Sequence, residues 1–182
     1  MNKIFADRYD ISDIAEWRSN VKAGDEILLS GTVYTARDAA HKRFIGLINE
    51  NKALPFDIGG AVIYYAGPTP ARENMPIGSC GPTTSSRMDV FTPLLLNVGL
   101  AATIGKGMRN AAVVSSMIEN KALYFCAIGG AGALAAKSVK KLDVIAFEEL
   151  GCESVKRLEI ADFPLIVGID IFGGNLFENG KR

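Results

Sequence analysis

Apolar and β-branched positions crowd together over Glu26–Thr35 (Glu-Ile-Leu-Leu-Ser-Gly-Thr-Val-Tyr-Thr), a stretch that predicts a strand. The period then changes. Arg37, His41, Phe44 and Ile48 fall at i, i+4, i+7 and i+11, the spacing of one helix face, and predict a helix from residue 37 to about 51. Residues 61–66 (Ala-Val-Ile-Tyr-Tyr-Ala) predict a second strand, closed by Gly67-Pro68. Residues 68–82 carry Pro68, Pro70, Pro76 and Pro82 with Gly78 and Gly81, which excludes a helix or a central strand and leaves a long loop. A loop of that length inside a compact domain points to function or to disorder.

The alternation continues beyond it. A helix is predicted from about 86 to 98, then a short strand over 101–104 that ends in Gly105-Lys106-Gly107. A helix over about 110–120 leads to a strand over 122–128, after which Gly129-Gly-Ala-Gly132 opens another small-residue helix. The part from about 144 to 170 is strand-rich. Strands alternating with helices predict an α/β layered domain, the last strands forming a second sheet or an antiparallel extension. No repeat, low-complexity tract or Pro/Ser linker interrupts the chain, so residues 1–182 read as a single domain.

Charge narrows the function classes. Twenty Lys and Arg balance twenty Asp and Glu, so no basic excess is available for nucleic acid or an anionic membrane. No apolar run approaches the roughly 20 residues that span a bilayer. The opening residues lack the apolar segment and small-residue cleavage site of a signal peptide. A cytoplasmic protein is expected. Cys80, Cys126 and Cys152 are scattered, odd in number and never spaced as C-x-x-C. They read as reduced, small hydrophobic residues rather than as a disulfide framework or a cluster-binding run.

One constellation carries chemistry. If Phe44 and Ile48 face the core, Arg37 and His41 point inward at the N-terminal end of their helix. Arg87, Phe91, Leu94 and Val98 repeat that spacing, which puts Arg87 on the inward stripe of a second helix. A cation there opposes the helix dipole, and an inward guanidinium is costly unless something negative meets it. Either nearby Asp/Glu partners or a bound anion would serve. Helix N-termini offer free N–H groups to anions, and Arg adds a fork that matches a carboxylate. Lys106 contributes a third cation. Ligands of α/β sheets bind outside the carboxyl ends of the strands, where all three emerge.

Thr83-Thr84-Ser85-Ser86 adds four consecutive hydroxyls, more than one helix cap needs. The surplus suits donation to a carboxylate or proton transfer. Each feature also has a plainer reading. Arg37 pairs with Asp38 or another internal acid, His41 is a satisfied core histidine, and the hydroxyl run is cap and turn. Gly129-Gly-Ala-Gly132 lacks the dinucleotide fingerprint and the Walker lysine, and reads as a tight strand-to-helix turn. Composition and spacing alone thus reach an α/β domain with a cationic, hydroxyl-rich anion site.

Several stretches go further. Ser30-Gly-Thr-Val-Tyr-Thr-Ala-Arg-Asp-Ala-Ala-His41, Tyr64-Tyr-Ala-Gly-Pro68, Gly81-Pro-Thr-Thr-Ser-Ser-Arg-Met-Asp89 and Gly105-Lys-Gly107 resemble the C-terminal domain of class I fumarases. The same domain occurs as the beta subunit of two-subunit fumarases and tartrate dehydratases. The likeness continues through Ile128-Gly-Gly130, Glu149-Leu-Gly151 and Asp162-Phe-Pro164, in order and over nearly the whole chain. Gly-Pro-Thr-Thr-x-x-Arg-Met is its most specific piece.

The resemblance implies a swivelling β/β/α fold and a hydro-lyase that reversibly adds water across a carbon–carbon double bond. It implies a [4Fe–4S] cluster with one iron open to substrate as a Lewis acid, its cysteines lying in another domain or subunit. This chain would then be the beta subunit of a hetero-oligomer, closing over a cluster-bearing alpha subunit, inactive alone and holding no metal itself. By the same resemblance, Arg37, Arg87 and Lys106 match positions that contact the carboxylates and hydroxyl of a small dicarboxylate, with Thr84 beside them. Thr83 matches the hydroxyl that removes the C3 proton, its pKa lowered by the three cations. His41, in the Arg-Asp-Ala-Ala-His motif, is the alternative acid/base. Ala36 stands where glycine is frequent in fumarases and can still start a helix. Ile128-Gly-Gly-Ala-Gly132 looks more like the fumarase version, which favours fumarate and malate over tartrate. A tartrate dehydratase beta subunit and a non-catalytic dicarboxylate-binding module are the alternatives.

Overall fold

Each β-branched run finds a neighbour with which to share its backbone hydrogen bonds. The computed structural model describes residues 6–71, 73–127 and 132–178. Its strands are β1 (Asp7–Asp10), β2 (Glu26–Thr35), β3 (Val62–Tyr64), β4 (Ala102–Gly105), β5 (Leu123–Cys126), β6 (Val139–Ala146) and β7 (Val155–Ile169). The helices are α1 (Ile14–Trp17), α2 (Asp38–Asn49), α3 (Thr92–Asn97), α4 (Ala111–Glu119) and α5 (Gly132–Ser138). They form one mixed sheet in the order β1-β2-β3-β4-β5-β7-β6.

Of the two arrangements expected for the last strands, a second sheet or an antiparallel extension, the sheet shows the extension. Strands β2 to β5 run parallel. The long strand β7 is antiparallel to β5 and, along almost all of β2, antiparallel to that strand too. β2, β3, β4, β5 and β7 therefore close into a ring, and β6 hangs from β7 as an antiparallel edge. The register slips between Leu29 and Gly31, a bulge of the kind that lets long strands bend around a closed ring.

Alternating side chains separate two cores. Val62, Tyr64, Leu123, Phe125, Ile27, Leu29 and Val33 meet inside the ring, with Trp17 and Ala136 from α1 and α5. Ile63, Tyr65 and Tyr124 point outward, to be covered by Phe44 of α2, Leu95 and Leu96 of α3, and Val113 and Met117 of α4. No helix among the described residues is long and apolar enough to cross a membrane.

The helix predicted over 86–98 is divided. A 3-10 turn at Ser85–Met88 is followed by α3, with Pro93 in its first turn. Proline has no N–H to give to a preceding turn, so it starts a helix rather than continuing one. Arg87 and Phe91 consequently do not share a helical stripe. The Arg87 side chain is 51% exposed, which corrects its predicted inward orientation.

Candidate functional site

Parallel strands end together, and β2, β3 and β4 deliver their successors to one rim. β2 leads through Ala36 to Arg37, the residue that precedes α2. β3 leads through Tyr65 and Ala66 to Gly67, and β4 leads directly to Lys106. The segment Pro82–Arg87 is laid across these ends by backbone pairing. Pro82 bridges Ala66, and the Thr83 N–H donates to the Tyr65 carbonyl at 2.6 Å. Thr84 forms a parallel bridge with Lys106, and the Ser85 N–H donates to the Lys106 carbonyl at 2.9 Å. Bridged neighbours of this kind stand about 4.8 Å apart.

Gly105 makes that approach possible. A Cβ there would fall on Ser85 Oγ and come 2.9 Å from Tyr65 Cδ2. Ser85 Oγ is itself hydrogen-bonded to the Tyr124 hydroxyl, which donates to the Gly107 carbonyl. Of the four hydroxyls in the run, Ser85 is thus the structural one. Thr84 makes no side-chain capping bond to the turn that follows it.

Two of the three cations each meet an acid of their own. Arg87 reaches Asp38 with Nε at 3.2 Å from Oδ1 and Nη2 at 2.8 Å from Oδ2. Arg37, next to that Asp, instead approaches Glu153, Nε to Oε1, at 3.4 Å. Its Nη1 lies so close to Gly67 that a Cβ there would come to 3.0 Å. Asp38, in the first turn of α2, suits the helix dipole and takes up Arg87. The rim thus carries Arg37, Arg87 and Lys106 against Asp38 and Glu153, leaving one positive charge over.

The buried polar atoms that lack an aligned hydrogen bond among the described residues are Arg37 Nε, Asp38 Oδ2 and His41 Nε2. Asp38 Oδ2 is near Arg87 Nη2 but poorly directed. They belong to the residue just before α2 and to its first turn. Buried groups of this kind are otherwise almost always satisfied, so their concentration at one place marks it.

His41 does not join the rim. It is fully buried, with ring contacts to Phe44, Tyr65 and Phe91 at 5.5–5.8 Å between centroids. Its Nδ1 lies 2.8 Å from the Arg37 carbonyl, which can only accept, so Nδ1 bears the proton. Burial pushes its pKa down to about 4, against a smaller opposing effect of that hydrogen bond. A neutral imidazole walled in by aromatic rings is badly placed to exchange protons with a ligand at the rim.

Sequence reasoning overlooked three residues that shape the site. Lys156, fully inside the fold, donates from Nζ to the carbonyls of Gly151, Cys152 and Ser154 and to Ser154 Oγ. It clamps the turn that carries Glu153, and burial lowers its pKa. Its period-2 place with Leu158 and Ile160 was the available signal. Asp89 and Arg109 form a wholly buried ion pair behind the rim, at 2.6 Å. Nothing in the sequence near Arg109 marks it as buried.

The cysteines do not converge. Cys80 is buried inside the ring, its thiol pushed up by burial to about 12, while Cys126 lies on the outer side of the sheet and Cys152 is exposed. Among the described residues no three His, Cys, Asp or Glu side chains come together to hold a metal ion. These residues do not fit a [4Fe–4S] cluster.

Residues 3–180 match the family model described as Fumarase C-terminus. A Methanocaldococcus jannaschii protein, provisionally named as an L(+)-tartrate dehydratase beta subunit, is 40% identical over 168 residues, covering 89% of this chain and 86% of that one. The L(+)-tartrate dehydratase beta subunit of Escherichia coli K12 is 34% identical, covering 92% and 85%. The anaerobic class I fumarate hydratase of the same organism is 35% identical over 92% of this chain, but the match spans only 31% of that longer protein. The Gly-rich segment taken above as fumarase-like lies, at 128–131, outside the described residues.

Proposed function

The chain belongs to the fumarase C-terminus family, and from that premise we propose that it is the beta subunit of a hydro-lyase acting on a small dicarboxylate. The observation that carries the reading is the rim itself. Arg37, Arg87 and Lys106, with the hydroxyls of Thr83 and Thr84, are carried by the ends of β2 and β4 and by the segment laid across them, and Arg37 Nε is buried there without an aligned acceptor. A dianion would give Arg37 Nε the acceptor it lacks, one carboxylate accepting from the guanidinium fork of an arginine and the other drawn by Lys106.

In this reading the cations hold the dicarboxylate and fix its orientation, which converts binding into alignment of the reacting carbons. Thr83 is the group that moves the C3 proton. Three positive charges favour its alkoxide over its hydroxyl, the usual means of activating a weak nucleophile or base. His41 acts behind Arg37 rather than on substrate. The iron–sulfur cluster implied by the resemblance is assigned to an alpha subunit, and the swivelling motion would open and close this domain over it.

Fumarate and malate are the substrates proposed first. Tartrate is the second reading, favoured by the tartrate dehydratase beta subunits that this chain matches over nearly their full length. The test is an anaerobic hydration assay of the chain alone and mixed with its cluster-bearing partner after reconstitution. Turnover only in the mixture supports the reading, and relative rates on fumarate, malate and tartrate choose the substrate. A stable complex with an intact cluster but no turnover on any of the three would overturn it.

A further inference from the structure

Arg109 makes four side-chain hydrogen bonds, yet none of them goes to Arg37, Arg87, Lys106 or the hydroxyls of Thr83 and Thr84. Its Nε donates to Asp89 Oδ1 at 2.6 Å, its Nη1 to Thr103 Oγ1 at 3.1 Å, and its Nη2 to Thr92 Oγ1 at 2.8 Å and the Tyr65 hydroxyl at 3.4 Å. The other oxygen of Asp89 accepts the Asn110 N–H at 2.8 Å. The guanidinium has no exposed surface, and it packs over the rings of Tyr65 and Tyr124 at 5.4 and 5.0 Å.

Four segments meet on this one group: Tyr65 just after β3, Thr103 of β4, Thr92 of α3, and Asp89 at the close of the 3-10 turn. Asp89 stands two residues after Arg87, and Arg109 three after Lys106. The ion pair therefore joins the roots of the two segments that carry these cations.

A structural purpose alone explains such a pair poorly. Burying two charges costs about as much as their attraction returns, and apolar replacements of similar volume are often neutral or stabilising. The rim supplies the need. Arg87, in the 3-10 turn, and Lys106, just past β4, are like charges brought to neighbouring segments, held there chiefly by the Thr84–Lys106 bridge and the Ser85-to-Lys106 hydrogen bond. We propose that the Arg109–Asp89 pair is a positioning device that locks the Thr83–Arg87 segment against Lys106, so that the dicarboxylate site exists before its ligand arrives. This rests on the function proposed above for the rim.

The test separates fixing the site from fixing the fold. Arg109→Met with Asp89→Asn removes both buried charges, keeps an oxygen for the Asn110 N–H, and leaves Tyr65 and Thr92 bonded to each other. Such a double variant should melt within a few degrees of the parent and still bind its partner. Its Ser85 amide should exchange with deuterium about tenfold faster or more. In the reconstituted holoenzyme KM should rise at least about tenfold, more than kcat falls. A variant that melts normally, protects Ser85 as the parent does and keeps the parental KM overturns the proposal. If the double variant does not fold, Arg109→Lys keeps the charge, loses the fork, and is read in the same two ways. The exchange measurement needs no turnover, so a parent holoenzyme inert on every dicarboxylate would sink the proposed function while Ser85 still decides the staple.

Discussion

The carbonyl oxygen of Arg37 accepts two hydrogen bonds from His41, one from its backbone N–H at 2.9 Å and one from its ring Nδ1 at 2.8 Å. The residue at the mouth of α2 is thereby pinned by a side chain in the core beneath it. That arrangement requires a ring whose Nε2 can stay neutral.

The pH dependence of folding should report this ring. Its pKa is about 4 in the folded protein and near 6.5 in an unfolded chain. Between those values the unfolded state binds more protons. Stability is therefore full above about pH 6.5 and declines as pH falls toward 4, by about 3 kcal/mol at most. Urea unfolding at pH 7 and pH 4.5 measures the loss, and His41→Gln should flatten the slope. An unchanged slope in that variant would assign the dependence to other groups.

Replacing Arg87 by Met should cost the holoenzyme about a hundredfold or more in kcat/KM, the scale of losing one charge-stabilising donor. Its side chain is half exposed, and such pairs contribute only about 0.5 kcal/mol. Calorimetry should therefore find the melting temperature almost unmoved. A collapse of folding would show that its bond to Asp38 is structural.

Thr83→Val removes a hydroxyl while keeping the shape. Turnover should fall by about a hundredfold or more, with binding of a non-reacting dicarboxylate, measured by titration calorimetry, changed only a few fold. Turnover surviving within a few fold would move the base to a group of the partner subunit.

Gly105→Ala tests the packing of the rim without touching a charge. The added methyl collides with Ser85 Oγ, and overpacking of this kind costs about 1–3 kcal/mol. Pairing it with Ser85→Ala should recover part of the loss in urea unfolding, though the contact with Tyr65 remains. Full stability in the single variant would mean that the 3-10 turn yields easily.

What the sequence revealed was whatever local periodicity encodes. Strand β2 begins and ends where its β-branched run does, and His41 and Phe44 share a buried face of α2 as spaced, with Arg37 in extended backbone just before the helix. The cations and hydroxyls were found because helix starts and glycine turns are local signals. Ring closure was not legible, because Glu26 meets Ile166 and Thr35 meets Lys156 across most of the chain, and no window of residues contains both. Arg87 was misdirected because Phe91, Leu94 and Val98 continue its spacing across Pro93, where the helix restarts. Arg109 was missed for a related reason: its burial depends on Asp89, Thr92 and Tyr65, each distant in sequence.

Strand β7 also dictates an order of events during synthesis. It pairs with β2, β5 and β6, yet it lies at residues 155–169, after all three. While the ribosome is still making it, the inner faces of β2 and β5 remain wet and their outer backbone groups unpaired. Contacts of such wide separation make for slow folding and a nascent chain exposed to wrong pairings. The ring stays open along one side until that last long strand arrives.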